Sequence, residues 1–247
     1  MNRNETEREA DVRRALDRVT DPELDEPVTD LRFIEHLTVD PDGNVSIGFR
    51  LPTYWCAANF AFLMAADMKR EVAALPWTRS VKVTLGEHMY GDKINHGLAN
   101  NLSFQETFGD EASAELDELR RTFLVKAFQR RQEALLQHLL KAGYPPDQLV
   151  RMTVLDLPLE PDGKDLRKRY LDRRDVCAKP GDPLAFVDVH GAPLSPEALQ
   201  AYLQTLGRIT INAEFNGALC RGLLAQRFNE DQEPTLYDFA RMPPRAA

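Results

Sequence analysis

The chain has 247 residues, of which 43% are hydrophobic and 28% are charged, so its composition is that of an ordinary globular protein. Its net charge of −8 argues against a general nucleic-acid-binding protein, which needs a basic surface to neutralise phosphates. No apolar run approaches the ~20 residues of a membrane span, and the charged first residues lack the apolar core of a signal peptide. We therefore expect a cytoplasmic protein whose partners include neither nucleic acids nor membranes.

The first part of the chain predicts a helix followed by a β-hairpin. Apolar residues at helical spacing indicate an amphipathic helix over residues 5–19, and Pro22 keeps that helix from continuing. A strand is expected from Phe33 or Ile34 to Val39. The turn residues of Asp40–Asn44 then favour a hairpin, because Gly43 and Asn44 tolerate positive φ.

The stretch from Val45 to Thr84 predicts a strand, a corner, a helix and another strand. Alternating apolar residues indicate the first strand up to Leu51, and small and apolar residues after Cys56 indicate a helix that ends near Pro76. Cys56 therefore stands where a helix begins, near unpaired backbone N–H groups and the positive end of the helix dipole. Such surroundings favour the thiolate, which is the form that binds metals or attacks disulfides.

The rest of the chain is expected to be rich in helices. His88 and His96 follow the third strand, residues 97–114 suggest a linker of small and polar residues, and residues 115–142 predict a long helix. Short strands are expected at residues 185–189 and an extended segment at 209–212, before a helix over 214–228. The predicted class is α+β: a two-layer α-β-β-α-β domain at residues 1–96, a linker at 97–114 and an α-rich domain with short strands at 115–247.

A set of features in the first 86 residues resembles the metal-sulfur cluster biosynthetic family, which includes the SufT-like and PaaD-like iron-sulfur assembly proteins. The features are, in order, Asp21-Pro22-Glu23, Asp30-Leu31, the hairpin, Cys56 before a helix, and Val81-Lys82-Val83. The resemblance covers residues 8–86 and leaves the C-terminal extension unassigned. Three features depart from the family pattern: Arg32 stands where the family usually has glycine, Ala57 stands where it usually has proline, and the loop before Cys56 reads Pro52-Thr53-Tyr54-Trp55 where the family loop is typically rich in threonine.

The resemblance implies an accessory protein for metallocentre assembly, without catalytic activity of its own. It would hold iron or an iron-sulfur cluster transiently and would bind a client apo-metalloenzyme, for which a di-iron monooxygenase component is the first candidate. A homo-oligomer is compatible with the sequence. The candidate ligands of the metal are Cys56, Glu23 and His88. The candidate contacts with a client are Asp21, Tyr54 and Trp55.

Each of these residues also has a structural interpretation. Cys56 could be a core residue, Asp21 could organise a turn, and His88 could be a solvated loop residue. The other two cysteines, Cys177 and Cys220, form no Cys-x-x-Cys pair, and the apolar neighbours of Cys220 favour a core position.

The sequence contains none of the common nucleotide-binding or hydrolase motifs, which favours a binding role. The alternative to a metal carrier is a non-metal assembly chaperone or regulatory interaction module. A third interpretation is a thiol enzyme in which Cys56 is the nucleophile and His88 the base.

Overall fold

The computed structural model describes residues 3–109, 116–159 and 164–228. The chain divides into two compact units. The first unit draws on Met1–Glu118 and Phe215–Ala247, and the second is Leu119–Glu214. The regular secondary structure of the described residues consists of helices and one small mixed sheet, so the predicted α+β class is confirmed. Within these residues, no helix is both long and apolar enough to cross a membrane.

The first unit begins with the predicted α-β-β-α-β order. The five elements are α1 (Arg3–Leu16), β1 (Ile34–Val39), β2 (Asn44–Phe49), α2 (Ala58–Ala73) and β3 (Ser80–Leu85). The sheet order is β1-β2-β3, with β1 antiparallel and β3 parallel to β2. The helix α2 therefore provides the crossover that a parallel pair of strands requires.

The hairpin between β1 and β2 is held by its own turn residues. Gly43 has a φ of +86°, which a residue with a Cβ rarely adopts. A carboxylate oxygen of Asp40 accepts a hydrogen bond from the backbone N–H of Asn44 at 2.8 Å. The backbone N–H of Arg79 donates to the carbonyl oxygen of Gly43 at 2.8 Å, which ties the turn to the approach of β3. The predicted hairpin is therefore confirmed. It could be predicted because the residues that determine it lie within the turn itself.

The core of the first unit lies between the sheet and its helices. Apolar residues of α1, β2 and α2 are fully or almost fully buried there, together with Leu224 from a helix much later in the chain. Among them are Leu16, Ile47, Phe49, Met64, Met68 and Leu224. The alternation that predicted β2 therefore corresponds to one buried face.

The segment predicted as a linker contains ordered helical structure where it is described. Helix α3 (Gly91–Ala99) runs into it, and α4 (Phe104–Phe108) lies within it. Phe104 and Phe108 are buried in the first unit's core, and Ser103 and Glu106 form a capping box at the start of α4. Small and polar neighbours conceal these signals in the sequence. Residues 110–114 of the predicted linker lie outside the described residues.

The second unit is built from helices around a separate core. Its elements are α5 (Leu116–Lys141), α6 (Pro146–Leu149), a 3-10 turn (Val154–Asp156), α7 (Lys164–Arg174) and the first part of α8 (Pro196–Phe228). The long helix predicted for residues 115–142 is confirmed by α5. The short strand predicted at residues 185–189 is wrong, because Val187 forms only an isolated bridge with Pro193 and no continuous ladder; a second isolated bridge joins Thr153 and Leu184.

The extended segment predicted at residues 209–212 is wrong. This segment is part of α8, which continues without interruption from Pro196 to Phe228. Ile209, Thr210 and Ile211 are β-branched, which favours strands, but such local preferences are weak and the packing of the long helix overrides them. In this helix the hydroxyl of Thr210 donates to a carboxylate oxygen of Glu133 at 2.6 Å.

Candidate functional site

Cys56 lies in the corner that joins β2 to α2. Leu51 and Pro52 are buried where the strand has ended, and the chain then turns through Thr53. The hydroxyl oxygen of Thr53 lies 3.1 Å from the sulfur of Cys56. Cys56 is half-buried, and α2 begins just after it at Ala58. The predicted position of Cys56 beside the start of a helix agrees with this arrangement.

The Asp-Pro-Glu segment forms a tight turn around the carboxyl group of Asp21. One carboxylate oxygen of Asp21 accepts hydrogen bonds from the backbone N–H groups of Glu23 and Leu24, each at 2.9 Å. Burial raises the pKa of Asp21 to about 6, since the charged form loses its water, and the two hydrogen bonds oppose this in part. Asp21 is 9% exposed, so it organises the turn and offers a client little surface.

His88 lies beside Cys56 but contacts its backbone. The Nε2 atom of His88 is 2.8 Å from the carbonyl oxygen of Cys56, and the Nδ1 atom accepts a hydrogen bond from the N–H of Tyr90 at 3.1 Å. Burial lowers the pKa of His88, and the charge of Arg227 lowers it further, while the bond to Cys56 opposes both. The ring is therefore neutral at pH 7 and holds the corner in place. Neither ring nitrogen is directed at the sulfur as a catalytic base would be.

The last part of α8 lies against the Asp21 turn. The side-chain amide of Asn216 donates to a carboxylate oxygen of Glu23 at 2.9 Å. Arg221 pairs with Glu26 at 2.8 Å. Glu23, predicted as a metal ligand, is thus hydrogen-bonded to a residue almost two hundred positions later in the chain.

The same part of α8 also reaches the Cys56 corner. The guanidinium group of Arg227 donates to the carbonyl oxygen of Leu51 at 3.1 Å and to that of Glu87 at 2.9 Å. The guanidinium carbon of Arg50 lies 4.2 Å from the ring centre of Phe228, a cation–π contact. The end of the helix is therefore attached to the backbone just before the Cys56 corner and just after β3.

Cys220 lies between these two attachment points on α8. It is half-buried and packs, like Cys56, against the core of the first unit. Burial raises the pKa of Cys220 to about 12, and the charges of Asp21, Cys56 and Glu23 raise it in turn. Cys220 therefore shares the electrostatic surroundings of Cys56 and of the Asp21 turn.

The structure does not bring the three predicted metal ligands together. In the part of the chain that is described, no three side chains of His, Cys, Asp and Glu are grouped so that they could hold a metal ion. His88 is engaged with the backbone, and Glu23 is engaged with Asn216. Both ring nitrogens of His88 and one carboxylate oxygen of Glu23 are thus in hydrogen bonds, and the sulfur of Cys56 has the hydroxyl group of Thr53 beside it.

The predicted client-contact residues Tyr54 and Trp55 form an exposed apolar patch beside Cys56. Tyr54 is 52% exposed and Trp55 is 72% exposed. Met89 is also exposed, and its backbone N–H donates to the carbonyl oxygen of Tyr54 at 2.8 Å, which keeps the two residues adjacent. We call Tyr54, Trp55 and Met89 the corner patch.

The sequence-based interpretation missed the residues that α8 contributes to this site. Asn216, Cys220 and Arg227 come from the opposite end of the chain, and no local motif connects them with Cys56. The one signal available was their helical spacing with Leu224, which places all four on the same face of a helix.

Comparison with known proteins places this fold and its corner among proteins of iron-sulfur cluster assembly. The family model described as "Iron-sulfur cluster assembly protein" matches residues 9–85, which include the Asp21 turn, Cys56 and β3. An uncharacterized protein of Methanocaldococcus jannaschii is 32% identical over 88 residues, covering 36% of this chain and 90% of that protein. The chain therefore belongs to the iron-sulfur cluster assembly protein family through its N-terminal part.

Two relatives with functional names are mycobacterial. The iron-sulfur cluster carrier protein of Mycobacterium leprae is 31% identical over 83 residues, which is 34% of this chain and 21% of that protein. The carrier protein of Mycobacterium tuberculosis is 34% identical over 76 residues, or 31% of this chain and 19% of that protein. The chain thus spans about a fifth of the length of these relatives. No solved structure matches the chain.

Proposed function

We propose that this protein is a cytoplasmic carrier that holds iron or an iron-sulfur cluster through Cys56 and transfers it to a client apo-metalloenzyme. The observation that carries the proposal is a half-buried thiol in a family-matched corner, with a hydroxyl group 3.1 Å from its sulfur. A hydroxyl in this position can donate a hydrogen bond to a thiolate. A thiolate is the soft ligand that iron-sulfur clusters require.

A corner with few metal ligands suits an iron ion or cluster that has to be transferred to another protein. A structural metal site closes its coordination with protein ligands, whereas a transfer site must leave positions for the acceptor. We propose Cys56 as the principal ligand, since both ring nitrogens of His88 are in hydrogen bonds and one carboxylate oxygen of Glu23 is bonded to Asn216. We therefore propose a carrier role without turnover, and not a thiol enzyme with His88 as its base.

The corner patch supports client binding next to the cargo. Exposed aromatic residues are enriched at protein interfaces, and this patch adjoins the thiol in sequence. We propose that the client docks on Tyr54 and Trp55, so that its own ligands approach Cys56. A di-iron monooxygenase component is the client class that we would test first, and the family resemblance is its support.

The test compares Cys56→Ser with a matched control, Cys177→Ser, in the second unit. Both are reconstituted anaerobically with iron and sulfide, and each is co-expressed with the candidate client. Cys56→Ser should lose the cluster absorbance and the maturation of the client, because a serine hydroxyl stays protonated at neutral pH. Its free energy of unfolding should change by no more than about 1 kcal/mol. Cluster retention in Cys56→Ser equal to that of Cys177→Ser would contradict the proposal.

A second candidate function is a non-metal assembly chaperone. It is favoured by the exposed corner patch, together with the absence of a three-ligand group among the described residues. In that case Trp55→Ala should abolish client binding, while Cys56→Ser should leave both binding and client activity unchanged. A pull-down of the client with the two variants separates this function from that of a carrier.

A further inference from the structure

We propose that the end of α8 clamps the corner patch in place, and that Arg227 is the positioning residue of this clamp. The inference rests on the client docking proposed above and places that surface under the control of residues outside the family match. The matched residues 9–85 include Tyr54 and Trp55, but neither Met89 nor Arg227. The clamp is carried by hydrogen bonds from the helix end to two loops that are distant from it in the sequence.

The corner patch is built on two neighbouring loops. Residues 50–57 join β2 to α2 and carry Tyr54 and Trp55, while residues 86–90 join β3 to α3 and carry Met89. We call these the Cys56 loop and the Met89 loop. Because β2 and β3 are parallel neighbours, both loops leave the sheet at the same end. The patch is therefore one surface only while the two loops stay together.

The Cys56 loop offers backbone carbonyl groups, and the Met89 loop supplies donors for two of them. The N–H of Met89 donates to the carbonyl oxygen of Tyr54 at 2.8 Å. The Nδ1 atom of His88 accepts a hydrogen bond from the N–H of Tyr90 at 3.1 Å. The hydrogen of the neutral ring is therefore on Nε2, which donates to the carbonyl oxygen of Cys56 at 2.8 Å. These two bonds join the loops directly.

Arg227 joins the same two loops from outside both of them. Its Nη1 atom donates to the carbonyl oxygen of Leu51 in the Cys56 loop at 3.1 Å. Its Nη2 atom donates to the carbonyl oxygen of Glu87 in the Met89 loop at 2.9 Å, and to the carboxylate of Glu87 at 3.3 Å. The planar guanidinium group can hold both loops at once because its N–H donors point in fixed directions, which the single ammonium group of a lysine does not reproduce.

Phe228 keeps Arg227 in this position. The guanidinium carbons of Arg50 and Arg227 lie 4.2 Å and 5.2 Å from the centre of the Phe228 ring, within the range of cation–π contacts. Arg50 belongs to the Cys56 loop, so the ring attaches the helix end to that loop a second time. Removal of the Arg227 side chain would take a shared donor from the carbonyl oxygens of Leu51 and Glu87, so both loops should loosen.

The first experiment measures the link between the loops by hydrogen exchange of single amides, followed by NMR spectroscopy. Arg227→Met removes the guanidinium group and keeps a long side chain, so the Met89 N–H should exchange at least about tenfold faster than in the wild type. The amides of the β2–β3 ladder should keep their wild-type rates, which shows that the sheet is intact. Arg221→Met on the same helix is the control, because Arg221 pairs with Glu26 and its loss should leave Met89 unchanged.

Arg227→Lys separates the bridge from the positive charge. Lysine keeps the charge but has one nitrogen in place of the guanidinium fork. The Met89 N–H should therefore exchange nearly as fast in Arg227→Lys as in Arg227→Met. A wild-type rate in Arg227→Lys would show that the charge is sufficient and would overturn the bridge.

The second experiment measures the Cys56 loop through its thiol. The alkylation of Cys56 by N-ethylmaleimide is followed by peptide mass spectrometry, with Cys177 of the second unit as the internal standard. In Arg227→Met the half-buried thiol should react at least about threefold faster than in Arg221→Met, because the loop that covers it has loosened. Equal rates in the two variants, or an unchanged exchange of Met89, would overturn the clamp.

A third measurement connects the clamp with docking. In a pull-down with the candidate di-iron monooxygenase component, Arg227→Met should retain less than half of what Arg221→Met retains. Equal retention would overturn the role of the clamp in docking, whereas a component that does not bind the wild type would overturn the proposed client instead. The exchange and alkylation measurements use neither iron nor a client, so their failure leaves the cluster test of Cys56→Ser unaffected.

Discussion

The buried carboxyl group of Asp21 makes the folded state sensitive to pH. Its pKa is raised from 3.8 to about 6, so the folded state binds the proton more tightly than the unfolded state does. The stabilising contribution of this proton is fully present below the unfolded pKa of 3.8, and it is lost as the pH rises through about 6. At pH 7 the loss is about 3 kcal/mol, since one pKa unit corresponds to about 1.4 kcal/mol.

We predict that Asp21→Asn flattens this dependence. The amide oxygen can still accept the hydrogen bonds from Glu23 and Leu24, and no charge has to be buried. The variant should gain up to about 3 kcal/mol at pH 7 and little near pH 4, as measured by urea unfolding at both values. Asp30→Asn, at an exposed position, is the control. A variant that is less stable than the wild type at pH 7 would show that the charge itself is needed.

Arg32 has a backbone conformation that glycine adopts more readily than residues with a Cβ. Its φ is +57°, and it stands at the position where the resembling family usually has glycine. A left-handed conformation costs about 1–2 kcal/mol for a residue with a Cβ, whereas glycine adopts it freely but loses more entropy on folding. We predict that Arg32→Gly stabilises the protein by about 0.5–1 kcal/mol in urea unfolding.

The control for this prediction is a glycine placed where the backbone is helical. Arg14→Gly in α1 should destabilise the protein by about 1 kcal/mol, because glycine is a poor helix former. If both substitutions destabilise the protein, the conformation of Arg32 carries no strain that glycine can relieve.

Among the helices and strands, those that are determined by residues within one segment could be predicted from the sequence. The hairpin, the helix after Cys56 and the long α5 follow from turn residues, alternation and helical spacing within one segment. Residues 209–212 could not be predicted correctly, because β-branched residues favour strands until the neighbouring helix and the contact of Thr210 with Glu133 override them. The position of Cys56 was predictable for the same local reason, whereas that of Cys220 depends on contacts between distant segments.

The end of α8 offers a test of those distant contacts. Leu224 is 3% exposed in the core of the first unit, while Leu219 on the same helix is 43% exposed. We predict that Leu224→Ala costs about 2–5 kcal/mol, because it leaves a cavity. Leu219→Ala is the matched control and should change the free energy of unfolding by less than about 0.5 kcal/mol.

The reactivity of the Cys220 thiol provides a second measurement of the effect of Leu224→Ala. If Leu224 anchors this part of α8, Leu224→Ala should speed the reaction of Cys220 with a maleimide, relative to Leu219→Ala. Equal stability and equal thiol reactivity in the two variants would mean that the helix end does not depend on its buried leucine.

At the scale of the whole molecule, the chain contains two hydrophobic cores. One includes Ile47, Phe49 and Leu224, and the other includes Phe128, Leu136 and Tyr170. The family match falls entirely within the first of them. The second has its own buried network, in which the side-chain amide of Gln132 donates to the carbonyl oxygen of Val187 at 2.8 Å. The likeness to iron-sulfur cluster assembly proteins therefore lies within the first unit.

The first unit is assembled from both ends of the sequence, and this affects its biosynthesis. Residues 119–214 are translated between its two parts. At about 5–20 residues per second, the ribosome needs roughly 5–20 seconds to synthesise them. During this interval the nascent sheet and Cys56 are present, whereas Asn216, Cys220 and Arg227 have not yet been made. A newborn chain would therefore expose the Cys56 corner until the end of α8 leaves the exit tunnel and contacts it.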